Sequence, residues 1–189
     1  MPGFITPFAD LVAIARDNLK SAVELVKRVA ELEKEYATLT GDDAEAFRVL
    51  EIAPVENKTE SHCLIAIVFS ALTIEGYIYY YAIRHFSEDF VDTHLDRLDV
   101  VSKWVIVPKL VTGKDFPKDS RAFQLLKQLV ANRNYIVLSK STNAFSYDRM
   151  KDDWVLSGPA KKQLDFSREV FQKAQDAVKA IDELALIME

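Results

Sequence analysis

The sequence predicts an all-α fold, in which four to five long helices form an up-down bundle with a broken helical insertion between the second and third of them. Long segments repeat apolar residues every three or four positions, which is the period of a helix that buries one face. Only 5 glycines and 6 prolines occur in 189 residues, which leaves little room for the many turns of a β-protein. The length suits a single domain, residues 1–189.

The first long helix is expected to start at Thr6-Pro7, an N-cap followed by a proline that the first helical turn tolerates. Its apolar positions run from Leu11 to Leu39 in steps of four and three, and it is expected to end near Gly41. One end of this seam holds three small or polar residues, Ala15, Asn18 and Ala22. A coiled coil on this seam would be weak, so we expect packing within the domain, with a partner subunit as the alternative.

The second long helix is expected to be the core of the fold. Residues 42–58 are predicted as a connection, in which a short helical turn around Phe47 to Ile52 is an option. Thr59 or Ser61 then caps a helix that runs to about Phe86 and is apolar on nearly every side. A membrane span is the alternative for its central stretch. That stretch carries Glu75, and its uncharged apolar run of about a dozen residues is shorter than the ~20 that a bilayer requires. We therefore expect a buried helix and no membrane segment.

The broken insertion follows this core helix. Ser87 is expected to cap a shorter helical piece that reaches about Leu98, because the acidic residues that follow Ser87 suit the first turn of a helix. The next segment, residues 100–111, contains Pro108, so it is expected to bend or break there before Gly113.

Two further long helices complete the predicted bundle. Ser120 opens a helix that ends in the segment 129–138. The polar residues 139–153 are expected to form the longest loop, and residues 154–156 a hinge. From Pro159 a last amphipathic helix is predicted to run to the C-terminus.

Cysteine usage indicates the compartment. The single cysteine, Cys63, excludes an intramolecular disulfide, and no basic segment followed by an apolar one opens the chain. We therefore expect a cytoplasmic protein.

The charge is distributed unevenly along the chain. Residues 1–99 hold 18 acidic and 9 basic side chains, whereas residues 100–140 hold 2 acidic and 8 basic ones. A polyanion would meet the second segment first. The candidate nucleic-acid-binding residues are Lys103, Lys109, Lys127, Arg133 and Lys140. The alternative is a solvated basic face that balances the acidic remainder of the protein.

Arg133 and Asn134 stand near the end of an apolar-periodic helix, where core packing requires neither of them. The segment from Arg133 to Leu138 resembles the Arg-Asn-x-x-x-His motif of HEPN-like domains, with Leu138 in place of the histidine. The resemblance covers about residues 59–140. It implies a helical fold and a two-fold homodimer that, in the family's ribonucleases, brings two motifs together to cut RNA without a metal.

The substitution at position 138 decides which function we expect. RNA cleavage needs a cation that stabilises the phosphorane and a titratable group that moves the proton of the 2′-hydroxyl. Arg133 supplies the cation, but Leu138 has no titratable group. We expect a non-catalytic interaction module that binds a protein partner or RNA. The alternative is a ribonuclease or toxin-like protein in which His62 or His85 carries the proton.

Glu75 is a carboxylate within an otherwise apolar helix, so it must be paired, protonated or open to water. The resemblance to HEPN-like domains implies an acidic residue of the second helix near the Arg-Asn pair, so we expect Arg133 to be the partner of Glu75. We take Arg133, Asn134 and Glu75 as the candidate catalytic residues of the ribonuclease alternative. In the structural alternative, Arg133 is a paired arginine, Asn134 caps the end of the helix, and Glu75 reaches water or tyrosine hydroxyls.

The tyrosines Tyr77, Tyr80 and Tyr81 follow Glu75 closely. Aromatic rings beside a basic segment can stack nucleobases, but they more often fill a subunit interface. We expect these three tyrosines to lie at the interface of a homodimer.

Metal and cofactor sites are not expected. The sequence has no Glu-x-x-His pair, no His-x-x-x-His pair, no cysteine cluster and no glycine-rich phosphate loop. His85 and His94 flank two aspartates, but their position at a helix junction fits a solvated cap better than a metal site.

Overall fold

The computed structural model describes residues 8–138, 145–148 and 153–188, and nearly all of them are helical. The predicted all-α class is confirmed. The helices are α1 (Phe8–Tyr36), α2 (Gly41–Phe47), α3 (Ala53–His85), α4 (Glu88–Phe90), α5 (Val100–Thr112), α6 (Arg121–Leu138) and α7 (Gly158–Met188). π-Helical segments occupy Arg48–Ile52 and Val91–Leu95, and two short strands are β1 (Phe145–Asp148) and β2 (Asp153–Leu156).

The predicted connection over residues 42–58 is wrong except for its helical turn around Phe47 to Ile52, because the chain is helical without interruption from Gly41 to His85. Pro54 lies in the first turn of α3, directly after a π-helical turn in which the Ala53 amide donates to the Arg48 carbonyl. This wider turn accommodates the proline ring, which would clash with the carbonyl four residues back in a regular helix.

Thr59 and Ser61 are therefore inside a helix and cap nothing. Their hydroxyls donate to the carbonyls of Val55 and Asn57, each four residues earlier, at 2.8 and 2.9 Å. The prediction that one of them begins the second long helix is wrong, whereas the predicted end near residue 86 is confirmed.

Helix α3 lies at the centre of the molecule, in contact with α1, α5, α6 and α7. Its residues Ile67, Ile74 and Ile78 are buried. The stretch 41–85 is long and apolar enough to span a membrane by length and composition. In this structure its buried apolar residues from Cys63 to Ala82 belong to a core cluster shared with the neighbouring helices.

Helix α1 packs on α3 of the same chain, so the expected packing within the domain is confirmed. Ala15 and Ala22, at the end of the seam expected to be weak, are completely buried. Between them, Asn18 makes a 2.7 Å hydrogen bond with His62 of α3. Small side chains allow two helices to approach closely, so this end of the seam is a point of tight packing. The helix ends at Tyr36, earlier than expected, because Thr38 and Leu39 bond only three residues back.

The insertion is confirmed in part. Ser87 accepts a hydrogen bond from the Phe90 amide, and Ser120 accepts one from the Phe123 amide, so both predicted helix starts are correct. Helix α5 does not break at Pro108 but continues to Thr112, after which Gly113 adopts a left-handed conformation with φ of 74°.

The region predicted as a loop and a hinge contains a β-hairpin. Strands β1 and β2 are antiparallel, with Phe145 opposite Leu156. The predicted loop residues 139–144 and 149–152, like the predicted helix start at Thr6-Pro7, lie outside the described residues. The final helix begins at Gly158, one residue before its predicted start.

Candidate functional site at the end of α6

Helix α6 carries the Arg-Asn pair of the motif and is held by a buried face. Leu126 and Leu129 are buried, and α6 contacts α3, α5 and α7. Arg133 follows Leu129 by four residues, so the two side chains lie on the same side of the helix. The packing of α6 therefore directs the guanidinium towards α3.

Arg133 and Glu75 form the predicted pair. The Arg133 Nη2 atom lies 3.4 Å from Glu75 Oε2, and Nη1 donates to Asn134 Oδ1 at 3.0 Å. The side chains of Arg133 and Glu75 are 32% and 38% exposed, so the pair is half-buried at the molecular surface. A partly solvated pair at this distance contributes about 1 kcal/mol or less to stability. Its effect is to orient Arg133 and to provide the counter-charge for a carboxylate in an apolar helix.

Asn134 does not cap the helix. It lies within α6, four residues before the end, and its side-chain oxygen accepts from the neighbouring arginine. The interpretation of Asn134 as a cap is therefore wrong, and its role is to hold the guanidinium together with Glu75.

Leu138 is the last residue of α6, and its relative exposure is 67%. The residue before it, Val137, is also exposed. One turn earlier, Tyr135 stacks on Phe166 of α7 with ring centroids 4.6 Å apart. The end of α6 thus presents apolar side chains to solvent, at the position where the Arg-Asn-x-x-x-His motif has an imidazole.

Neither candidate histidine approaches the guanidinium within one chain. His62 precedes Glu75 by 13 residues on α3 and His85 follows it by 10, which places them about 20 and about 15 Å along the helix axis. His62 is bonded to Asn18. Within one chain, neither His62 nor His85 can therefore carry a proton for Arg133, as the ribonuclease alternative requires.

The candidate basic residues do not form one exposed surface. Lys103 is buried, and its ammonium donates to Asp96 at 2.9 Å, so it is not available to a surface ligand. Lys109 donates to Asp115 at 2.7 Å and thereby lowers the pKa of that carboxyl. Lys127 lies 5.1 Å from the centre of the Phe123 ring. Lys140 lies outside the described residues.

Tyr77, Tyr80 and Tyr81 are spaced so that they share one side of α3, and all are partly buried. The Tyr77 ring is stacked on Trp104, 5.9 Å between centroids, and Arg84 lies 5.7 Å over the Tyr80 ring. The three tyrosines line a surface cleft of about 390 Å³ together with Arg84 and His85. Their rings are therefore supported by the chain itself and also reach the surface.

A second cleft, of about 460 Å³, was not predicted. It lies between α1, the helical stretch 41–85 and α7. Its charged lining is largely paired, with Arg48 3.0 Å from Glu56 and the Ser167 hydroxyl donating to Glu60 at 2.6 Å. The sequence signal is the charged segment around Arg48, which lies within the predicted connection over residues 42–58.

In the part of the chain that the structure describes, no group of three or more His, Cys, Asp or Glu side chains is arranged to hold a metal ion.

A scan against protein-family models, a search of curated proteins and a search of solved structures each found no match for this chain.

Cys63 is not expected to act as a nucleophile. It is completely buried in α3, and burial, with a smaller effect of the Glu60 carboxylate, raises the pKa of its thiol from 9.0 to about 11. This shift lowers the thiolate fraction roughly a hundredfold, so we expect Ellman's reagent to label the native protein at least about 100-fold more slowly than the protein unfolded in guanidinium. Equal rates would show that the thiol is accessible.

Proposed function

We propose that this chain is a non-catalytic, HEPN-like helical bundle that serves as an interaction module and associates with a second copy of itself through the end of α6. Leu138 carries the proposal. It occupies the position of the motif histidine, and its side chain is apolar and two-thirds exposed. Such a side chain cannot move a proton, and exposed apolar groups are typical of contact surfaces when they cluster.

The state of Arg133 supports a structural role for the motif. Its guanidinium already has two acceptors, Glu75 and Asn134. Turning towards a phosphate would leave a half-buried carboxylate without its cation, which is unfavourable. We therefore assign the pair to positioning the end of α6.

Exposed apolar residues favour a protein partner over RNA. Val137 and Leu138 are exposed at the end of α6, and Phe145 and Leu156 are exposed on the hairpin. Phe145 and Leu156 stand opposite each other across the two strands, so their side chains lie on the same face. In contrast, Lys103 and Lys109 are each paired with a carboxylate of their own chain. Exposed apolar side chains at these two places suit a second copy of the chain better than a polyanion.

The first test is the oligomeric state over a concentration series, measured by analytical ultracentrifugation. We expect a dimer of twice the 21.5 kDa chain mass. Leu138→Ser should raise the dimer dissociation constant about tenfold or more, which corresponds to ~1.4 kcal/mol. The matched control is Leu110→Ser, which changes another exposed leucine on α5 and should leave the constant unchanged. A monomer at all concentrations, or equal effects of the two variants, would contradict the proposed association.

The second test is RNA cleavage and retention at low salt, with Arg133→Ala as the control. We expect the wild-type protein to leave mixed RNA intact. Cleavage that disappears in Arg133→Ala would overturn the non-catalytic assignment in favour of the ribonuclease alternative. Retention without cleavage that falls steeply as salt is added would identify RNA as the partner instead of a second copy.

A further inference from the structure

An apolar cavity of about 200 Å³, partly open to solvent, lies between α1, α3, α5 and α7. Its walls include Phe8 and Val12 of α1, Tyr77 of α3, Trp104 of α5, and Ile181 and Leu184 of α7. None of the described residues that line it is charged. No residue of α6 lines the cavity, so the cavity is separate from the Arg133–Glu75 pair.

Two polar groups of the lining residues are bonded to the protein. Trp104 Nε1 donates to the Ile74 carbonyl at 3.1 Å, and the Thr73 hydroxyl donates to the Phe69 carbonyl at 2.8 Å. A water molecule in a cavity is held by two to four polar partners, and this mainly apolar wall offers it few of them. If the cavity is empty, its wall atoms also lose dispersion contacts. Such a cavity favours an apolar guest.

The wall is built around aromatic rings. Tyr77 and Trp104 are nearly parallel, at an angle of 11°, and Phe8 meets Tyr77 at 69° with centroids 5.9 Å apart. An aromatic guest gains offset or edge-to-face contacts with such rings, which an aliphatic guest does not. A charged guest would lose its hydration without gaining a partner.

We propose that this cavity is a binding site for a small, uncharged aromatic molecule. An apolar cavity of about 150 Å³ is known to hold benzene, so the present volume suits one ring with a short substituent. The site requires nothing of the surface at the end of α6, so it stands whether or not the chain associates there.

The experiment is a titration of the full chain with toluene, followed by thermal unfolding. At about ten times the dissociation constant we expect Tm to rise by about 3–6 °C. Two comparison compounds define the class. Benzoate keeps the ring but adds a charge and should give no shift, and methylcyclohexane keeps the size but lacks the π-system and should give a smaller one.

Two matched variants locate the site. Val12→Phe places a ring in the cavity and should abolish the toluene shift, whereas Val29→Phe makes the same change on the same helix outside this cavity and should preserve it. Should Val12→Phe fail to fold, methyl NMR of the wild-type protein replaces it, and toluene should then perturb Ile74, Ile181 and Leu184 selectively.

Three results would overturn the proposal. Absence of a Tm shift with toluene would remove the site. Equal shifts with toluene and methylcyclohexane would refute the aromatic class. An undiminished toluene shift in a folded Val12→Phe variant, or methyl perturbations elsewhere in the core, would place the binding outside this cavity.

Discussion

Replacing Trp104 with alanine is expected to lower the free energy of unfolding by about 3–5 kcal/mol, and Tm by roughly 10 °C. The indole is buried, stacks on Tyr77, and meets Phe116 edge-on with centroids 6.4 Å apart. Its Nε1 atom also donates to the Ile74 carbonyl of α3. Trp104 therefore joins α5 to the central helix through both packing and a hydrogen bond. Urea and thermal unfolding followed by circular dichroism, at one fixed protein concentration, measure the change.

Trp104→Phe separates these two contributions. Phenylalanine keeps an aromatic ring but removes the donor, and the Ile74 carbonyl remains inside a helix where it has a backbone partner. We expect this variant to lose less than about half of the stability lost by Trp104→Ala. Equal losses would mean that the hydrogen bond, and not the ring packing, holds α5 in place.

Leu129→Ala is expected to lower the free energy of unfolding by about 2–5 kcal/mol, whereas Leu138→Ala on the same helix should change it by less than about 0.5 kcal/mol. Leu129 is buried, and Leu138 is two-thirds exposed. The same atoms are removed in both variants, so the difference measures burial alone. The comparison is made below the concentration at which the chain associates, because association would add stability of its own.

The two leucines also separate fold from function. Leu129 precedes Arg133 by one helical turn, so its loss should loosen the part of α6 that holds the guanidinium near Glu75. Leu138→Ala should keep that part intact and weaken only the association. A large loss of stability in Leu138→Ala would show that this side chain is packed within its own chain, which would contradict the proposed contact surface.

Most long helices were predictable because their signals are local. Ser87 and Ser120 accept from amides three residues later, and Gly113 ends α5 in a left-handed conformation. Each of these features depends on a few adjacent residues. Residues 42–58 outside the turn around Phe47 to Ile52 are predicted wrongly for the same reason, because Pro54 and the Asp42-Asp43 pair are loop signals locally. The helix persists there because a π-helical turn receives the proline and because Ile52 is completely buried, which compensates for weak local propensity.

The candidate site was predictable only in part. A carboxylate within an apolar helix needs a partner, and the resemblance to HEPN-like domains, which implies an acidic residue near the Arg-Asn pair, pointed from Glu75 to Arg133. The state of Lys103 was not predictable, since its burial and its bond to Asp96 depend on how α5 packs after the second π-helical segment. The apolar cavity was also invisible in the sequence, because its walls come from four helices.

The sequence alone determines that position 138 carries no proton-transfer group, because no packing can give a leucine side chain a titratable atom. The helical class follows from periodicity and from the scarcity of glycine and proline, which act over short distances. The contact between Glu75 and Arg133, 58 residues apart, and the exposure of Leu138 required the folded protein. Distances between remote residues are set by the way whole helices pack against one another, and that packing depends on all their side chains together.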